Sequence, residues 1–125
     1  MSPKERNIKI ALIQFDAVPE EPARNINKMI ELIREAVSKG ARWVMFHEGT
    51  ICDYTPRLYE FAERIPEGKA TRRMMHIARL MRCFVSFGLS EEYRGNFYIS
   101  QVFVGPYGFI YRYRKTWLWR EPSDA

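Results

Sequence analysis

Glu48 is the residue whose position in this sequence points most directly to chemistry. It lies two residues beyond Phe46, which ends an apolar segment, "WVMF", typical of a buried strand. Functional groups in parallel α/β sheets collect just beyond the carboxyl ends of strands, and Gly49 permits an unusual backbone path there. Glu48 is therefore a candidate functional residue. Position alone favours this interpretation no more than a solvated or salt-bridged loop glutamate.

The histidines and cysteines do not predict a metal site. His47 and Glu48 match the first two residues of a zinc-protease signature, but no second histidine follows and the segment leaves a strand instead of forming a helix. The two histidines and two cysteines of the chain show no paired ligand spacing. We therefore predict that no metal is bound.

Cys52 is a second candidate for chemistry, because a cysteine near a carboxylate can act as a nucleophile. It has no neighbouring catalytic histidine, and the short loop between them does not fix its orientation toward Glu48. A buried thiol, or one at the edge of a pocket, is the favoured interpretation. Cys83, at the start of a predicted strand, is interpreted as a small core residue.

Composition indicates one ordinary globular domain. Of the 125 residues, 46% are hydrophobic and 28% are charged. No apolar run approaches the ~20 residues that a membrane span needs. The first residues, "MSPKERN", are not followed by the apolar segment of a secretory signal, and two cysteines make no disulfide framework. We therefore predict a cytoplasmic protein without a membrane partner.

The net charge of +5 is compatible with nucleic-acid binding. The arginines are nevertheless spread along the chain with acidic residues between several of them, which favours a solvated surface and no nucleic-acid partner. The densest basic stretch, "YRYRK", alternates as a strand does, with Tyr111, Tyr113 and Lys115 on one face. Nucleic-acid binding through this stretch is the alternative, and it predicts salt-dependent retention on DNA.

The first half of the chain predicts a strand, a helix and a second strand. Residues 9–15 are apolar and β-branched, and Pro22 suits the first turn of the helix that follows. Gly40 stands where the end of a helix favours a left-handed residue. The second strand, 43–46, is continuously apolar, as expected of a strand covered on both faces. The apolar positions at helical spacing are Ile26, Met29, Ile30, Ile33 and Val37.

The second half predicts one more helix and three more strands. The helix is expected to begin after Thr71, a suitable N-cap. A short strand follows at 84–88, and strands at 99–104 and 109–114 flank a four-residue hairpin loop, "GPYG". The order β-α-β-α-β-β-β predicts an α/β fold, in which parallel strands with right-handed crossovers are followed by an antiparallel hairpin in a mixed sheet.

Several segments together resemble the N-terminal half of the nitrilase, or carbon–nitrogen hydrolase, superfamily. "GARWVMFHE", Gly40–Glu48, is similar to the segment that leads to the catalytic glutamate of that family. "SFGLSE", Ser86–Glu91, is similar to the strand after its second helix, and Val102–Leu118 to the stretch that carries its catalytic lysine. These segments cover nearly the whole chain in the order of the family. Residues 1–125 are therefore predicted to be a single, truncated domain of it.

The resemblance implies the N-terminal half of an α-β-β-α sandwich, no cofactor, and association as a homo-oligomer. It also implies a catalytic triad of glutamate, lysine and cysteine. Glu48 matches the general base and Lys115 matches the lysine. Neither Cys52 nor Cys83 matches the nucleophile, which lies downstream of the lysine in the family. The implied reaction is hydrolysis of a carbon–nitrogen bond in an amide, an N-carbamoyl compound or a nitrile.

Pairing a glutamate with a cysteine sets a physical requirement. The ordinary pKa values of the two groups differ by about 4 pH units, which makes proton transfer about 5.7 kcal/mol uphill. Burial has to raise the pKa of the carboxyl, or a cation has to lower that of the thiol. We expect the end of the strand to bury Glu48, and Lys115 to supply the cation and to stabilise the oxyanion.

Three positions depart from the pattern of the family. His47 replaces a proline, Trp117 replaces a histidine, and Ile99 replaces an asparagine. The departures bear on the substrate more than on the reaction class. Tyr54 and Arg57, in "CDYTPR", are candidates for substrate contacts, with ordinary loop packing as the alternative. The competing interpretation of the whole chain is a catalytically inactive fragment or interaction module that retains the first half of the fold.

Overall fold

The structure, a computed structural model, describes residues 7–118. Strands and helices follow one another in the predicted order, with one additional short 3-10 helix at Leu58–Phe61. The elements are β1 (Ile10–Ile13), α1 (Pro22–Ser38), β2 (Trp43–Phe46), α2 (Lys69–Met81), β3 (Phe84–Tyr93), β4 (Asn96–Gly105) and β5 (Gly108–Arg114). No helix within the described residues is long and apolar enough to cross a membrane.

The five strands form one mixed sheet in the order β1-β2-β3-β4-β5. β1, β2 and β3 pair in parallel, whereas β4 pairs antiparallel with both β3 and β5. Because both parallel crossovers move in the same direction across the sheet, right-handed connections place α1 and α2 on the same face. The predicted mixed α/β fold is confirmed.

The core lies between the two helices and the face of the sheet that they cover. The predicted apolar stripe of α1 is confirmed at Ile26, Met29 and Ile33, which are all buried, and α2 adds Met74 and Ile77. Alternate strand residues complete the core: Val44, Phe46, Val85, Phe87, Leu89, Val102 and Val104. Fully burying one large apolar side chain contributes roughly 1.5–3 kcal/mol, so this one-sided core is the main source of stability.

The opposite side of the sheet, here called the open face, is mostly uncovered within residues 7–118, although the turn after β2 lies over it at Gly88. It consists of the strand side chains that point away from the helices, among them Ile10, Leu12, Trp43, Met45, Phe84, Phe103, Tyr111 and Tyr113. Leu12 is 78% exposed and Tyr111 is 60% exposed. The prediction that β2 is covered on both faces is therefore wrong for this part of the chain, because only Val44 and Phe46 of that strand are buried.

The predicted start of α2 is wrong. The helix begins at Lys69, and Thr71 lies buried inside its first turn. The amide of Ala70, which has no partner inside the helix, donates to Oε1 of Glu63 at 2.8 Å. A carboxylate from the preceding segment thus caps the helix, so a threonine cap is not needed.

The predicted bounds of the strands also differ from those observed. β1 is shorter than the predicted 9–15, whereas β3 continues past residue 88 to Tyr93 and turns directly into β4. Arg94 and Gly95 between them have positive φ, the geometry of a two-residue hairpin turn. The loop between β4 and β5 likewise has two residues instead of the predicted four.

Candidate active site

Glu48 and Lys115 meet at one end of the sheet, beyond the last residues of two strands. Glu48 follows β2 and Lys115 follows β5, and these two strands are not neighbours. β5 runs in the same direction as β3 because two antiparallel pairings separate them, and β3 is parallel to β2. The carboxyl ends of β2 and β5 therefore lie at the same end of the sheet. Lys115 Nζ lies 3.0 Å from Glu48 Oε1. The fold therefore joins two candidate residues that are far apart in the sequence.

The turn that carries Glu48 is fixed by its neighbours. Gly49 has a φ of +71°, in the left-handed region that glycine enters at no steric cost. The amide of Ile51 donates to the carbonyl of Gly88 at 3.1 Å. The side chain of Asn25, buried on α1, donates from Nδ2 to the carbonyl of Ile51 at 2.9 Å. A strand and a helix thus hold this turn from two sides.

β3 passes directly beneath the turn at Gly88. A Cβ added at Gly88 would lie 2.9 Å from the carbonyl carbon of Glu48 and would overlap the backbone nitrogen of Gly49. Both neighbours are backbone atoms, which cannot rotate away as a side chain could. Gln101 of β4 donates from Nε2 to the carbonyl of Phe46 at 3.2 Å and fixes the end of β2. The position of Glu48 thus depends on a close approach between backbones.

A buried carboxylate holds the strand that carries Lys115. Glu91 of β3 is 1% exposed and accepts two hydrogen bonds from Arg114, from Nε at 2.9 Å and from Nη2 at 3.0 Å. The hydroxyl of Ser100 donates to the same carboxylate at 2.8 Å, and Arg112 Nε lies 3.2 Å from it. Because Arg114 directly precedes Lys115, this bidentate contact orients the end of β5.

The same contacts decide the charge state of the buried carboxylate. Burial alone would raise the pKa of Glu91, but hydrogen bonds from Arg114 and Ser100, together with the charges of Arg112 and Arg114, hold it below its ordinary value. Glu91 is therefore ionised at neutral pH and serves as the anion that two neighbouring arginines share.

The predicted burial of Glu48 is wrong for the described part of the chain. Its side chain is 60% exposed, and that of Lys115 is 34% exposed. The reason is the open face: Lys115 continues the alternation of Tyr111 and Tyr113, which point away from the helices. The ion pair therefore lies on the side of the sheet that residues 7–118 leave uncovered.

Neither cysteine is placed to react at this pair. Cys52 is buried, and the pKa of its thiol is raised to about 11, first by burial and then by the charges of Asp53, Glu63 and Glu20. Cys83 is buried just before β3, at the amino end of that strand, whereas Glu48 lies beyond the carboxyl end of β2. Burial also raises the pKa of the Cys83 thiol. The interpretation of both as structural thiols agrees with this placement.

A direct test of these thiols is alkylation of the native protein. At pH 8 we expect Cys52 to react with iodoacetamide about 10²-fold more slowly than in the denatured chain, because only the thiolate reacts and its fraction falls tenfold per pH unit of raised pKa. Mass spectrometry of peptides separates its rate from that of Cys83. Equal rates in the native and denatured protein would contradict the burial of Cys52.

The comparisons with known proteins place the chain in a family. The sequence profile of the family described as carbon–nitrogen hydrolase matches residues 9–125. The chain belongs to the carbon–nitrogen hydrolase family. The chain is 35% identical over 127 residues to a nitrilase of Pyrococcus abyssi, a match that covers 94% of the chain and 48% of the relative. It is 32% identical over 113 residues to an omega-amidase of Xenopus tropicalis, covering 88% of the chain and 40% of the relative.

Solved structures agree with the fold of this chain. A CN-hydrolase superfamily protein from Xanthomonas campestris superposes with a TM-score of 0.80 at 16% identity, over 90% of this chain and 42% of the other. An N-terminal amidase superposes with a TM-score of 0.78 at 20% identity, over 90% and 28% of the two chains. The chain spans less than half the length of each of these relatives.

The two predicted substrate contacts, Tyr54 and Arg57, lie in the loop after Glu48. Arg57 forms ion pairs with Glu20 at 3.2 Å and with Glu60 at 2.7 Å, so its guanidinium already has two partners. Tyr54 is 70% exposed. Nothing in the contacts of either side chain links it to the ion pair, and their roles in substrate binding stay predictions. Within residues 7–118 no three His, Cys, Asp or Glu side chains cluster as metal ligands.

Four residues that support the site were not singled out in the sequence. They are Asn25, Gly88, Glu91 and Gln101, which hold the Glu48 turn or the end of β5. A signal existed for one of them: Asn25 is a polar residue immediately beside the apolar stripe of α1. Gly88 and Glu91 lie in a stretch that resembles the family, but their partners belong to other strands and are invisible along the chain.

Proposed function

We propose that this protein hydrolyses a non-peptide carbon–nitrogen bond, with Glu48 as the general base and Lys115 as the residue that stabilises the oxyanion. The observation that carries the proposal is the 3.0 Å contact between these side chains, beyond the carboxyl ends of β2 and β5. The proposed nucleophile is a cysteine, and the proposed substrate is an amide, an N-carbamoyl compound or a nitrile.

For an amide, the proposed reaction has two stages. Glu48 takes the proton of the thiol, and the thiolate attacks the carbonyl carbon while the π electrons move to oxygen. The ammonium of Lys115 stabilises that oxyanion, an interaction whose loss typically costs ~3–4 kcal/mol. The carbon–nitrogen bond then breaks, and the leaving amine takes the proton from Glu48. Water activated by Glu48 hydrolyses the thioester and releases the carboxylic acid and the free thiol.

The nucleophile has to come from polypeptide other than these 125 residues, because Cys52 and Cys83 are their only cysteines and both are buried. The open face is the proposed position of that polypeptide, since Lys115 lies on this side of the sheet. Packing there would exclude water from the ion pair. A carboxylate needs such burial to act as a base toward a thiol, because burial raises its pKa. Residues 1–125 would then form one part of a larger domain, and association as a homo-oligomer belongs to the same proposal.

The first substrates to assay follow from the relatives. One is named a nitrilase and another an omega-amidase, so both nitriles and amides belong in the panel. Simple amides, N-carbamoyl amino acids and aliphatic nitriles all release ammonia on complete hydrolysis. One readout therefore covers the three substrate classes.

The proposal is tested by ammonia release from the protein as its natural host makes it. We expect Lys115→Ala to lower kcat by about 10²–10³-fold, because a positioned oxyanion donor is lost. Glu48→Gln is expected to lower it by about 10²–10⁴-fold, because the general base is lost.

Lys28→Ala and Glu31→Gln are the matched controls for these two variants. They remove the same residue types from an exposed ion pair on α1, whose Nζ–Oε2 distance is 3.8 Å. Both should keep normal turnover. Near-normal activity of either Glu48→Gln or Lys115→Ala would contradict the proposed roles.

A second candidate function is an interaction module without activity of its own. The open face favours it, because a contiguous apolar sheet face exposed to water drives association. A groove of about 700 Å³ on this face is lined by Trp43, Phe84, Phe103, Ile110 and Tyr111, with few polar atoms. Contact with another polypeptide would remove these apolar side chains from water and would therefore be favourable.

Sedimentation of the purified 125-residue chain tests this second candidate. We expect it not to run as a stable monomer, because burying the open face against a second copy removes its apolar side chains from water. Leu12→Lys and Tyr111→Lys should shift the distribution toward monomer, whereas Leu80→Lys, which changes an exposed apolar residue on α2, should not. A monomer with a cooperative melt would count against the candidate.

A further inference from the structure

A second concave surface, here called the arginine groove, lies at the end of the sheet away from Glu48. Its volume is about 1150 Å³. Arg42 directly precedes β2, and Arg82 lies just before β3, so the groove is at the amino ends of these strands. The arginines that line it are Arg42, Arg72, Arg79 and Arg82, and His76 lies among them. The groove is thus separate from the proposed active site, which lies at the carboxyl ends.

The charge of the arginine groove is not compensated by any side chain within residues 7–118. No carboxylate lines it, and within residues 7–118 none of its four arginines forms an ion pair. By contrast, Arg57, Arg64, Arg112 and Arg114 each have a glutamate partner. Four positive charges that converge on one concavity create a strong local potential for an anion.

The stability of α2 does not explain this arrangement. Arg72 lies near the start of the helix, where the helix dipole disfavours a cation, and the first turn contains no acidic residue. Arg72, His76 and Arg79 recur at spacings of four and three residues and therefore share one face, on which the like charges of Arg72 and Arg79 repel each other. Arg79 lies in the last turn, where the dipole favours a cation, so the helix gains from Arg79 but not from Arg72 or from the repulsion between the two. An anion bound between the side chains would turn the repulsion into attraction.

Aromatic and apolar side chains complete the arginine groove. Tyr107 stands fully exposed at the tip of the loop between β4 and β5, and Met75 and Pro106 also line the groove. Guanidinium groups match the oxygens of phosphate in bidentate geometry, whereas an exposed aromatic ring offers a face on which a flat heterocycle can stack. The volume is of the order found for small-molecule sites.

We propose that the arginine groove binds a nucleoside polyphosphate, with the phosphates held between the arginines of α2 and the base packed against Tyr107. This site is independent of the proposed hydrolysis, because its residues lie at the opposite end of the sheet and its test uses no turnover. It also accounts for the placement of four positive charges in a chain whose net charge is +5.

The test is calorimetric titration of the full chain with ATP and with inorganic triphosphate at low and moderate ionic strength. We expect both ligands to bind, ATP more tightly, and both more weakly as salt is added. Arg72→Glu and Arg79→Glu should each weaken binding by about tenfold or more, because a charge-assisted hydrogen bond is lost. Tyr107→Ala should bring the affinity for ATP down to that for triphosphate.

Arg73→Glu is the matched control. It makes the same change of charge on the same helix, next to Arg72, but Arg73 does not line the groove. If Arg73→Glu weakens binding as much as Arg72→Glu, the ligand is attracted by the net charge alone, and the proposed site is wrong. Arg72→Gln repeats the test should the charge reversal prevent folding.

Three further results would overturn the proposal. The first is the absence of ATP binding at low ionic strength. The second is equal affinity of the native chain for ATP and triphosphate, which would remove the contact with the base. The third is tight binding of single-stranded DNA that Arg72→Glu abolishes, with no binding of either small ligand. That result would assign the groove to nucleic acid.

Discussion

Replacing Glu91 with alanine is expected to destabilise the protein by about 3 kcal/mol. Removing one partner of a buried ion pair costs about 3–5 kcal/mol, because an uncompensated charge stays behind. The low end of that range applies because Arg112 and Arg114 keep 28% and 29% of their side-chain surface exposed. Urea unfolding measures the change.

Glu92→Ala is the control for that measurement. Glu92 is the neighbour of Glu91 in β3 and also pairs with an arginine, but this partner, Arg64, is 75% exposed. Exposed pairs contribute little, so the loss should be much smaller than for Glu91→Ala. Equal losses in the two variants would show that the buried carboxylate does not hold β5.

The same carboxylate should make stability depend on pH in a defined direction. The pKa of Glu91 in the folded protein lies below its ordinary value. A depressed pKa contributes stability above the unfolded value of about 4.3, and the contribution is lost as the pH falls from there through the folded pKa. The difference in unfolding free energy between the native protein and Glu91→Gln should therefore be constant near neutrality and shrink in acid. A constant difference throughout would contradict the assignment.

Gly88→Ala is expected to displace the turn that carries Glu48. The new methyl group would overlap the backbone of Gly49 and lie 2.9 Å from the carbonyl carbon of Glu48, so the turn has to move away from β3. Overpacking of this kind typically costs about 1–3 kcal/mol. A displacement of about 1 Å at a catalytic group can cost about 10²-fold in rate. We therefore expect lower stability and, in the active protein, a kcat lower by about 10²-fold.

Ser86→Ala is the matched control for Gly88→Ala. It gives the same alanine side chain two residues earlier in β3 but adds no atom, because it only removes a buried hydroxyl that has no hydrogen-bond partner within residues 7–118. That variant should keep normal stability and turnover. If both variants behave alike, the close approach of β3 to the Glu48 turn does not decide the geometry of the site.

Local patterns in the sequence predict much of the fold. The apolar stripe of α1, the strand before Glu48 and the alternation of "YRYRK" all depend on periodicities of a single element, which neighbouring residues reveal. The bounds that were predicted wrongly depend on partners elsewhere. Thr71 is not the cap of α2 because Glu63 occupies that role, and β3 extends past residue 88 because β4 pairs with it along its whole length.

The sequence by itself determined the order of the elements, the place of Glu48 beyond a strand end and the face of the last strand on which Lys115 lies. Only the tertiary structure decided that these two side chains meet, that Gly88 passes beneath the turn, and that scattered arginines converge on one groove. It also decided that Glu48 is exposed instead of buried. The physical reason is that periodicity records which face a residue takes within its own element, whereas distance and burial depend on strands and helices that are remote in the chain.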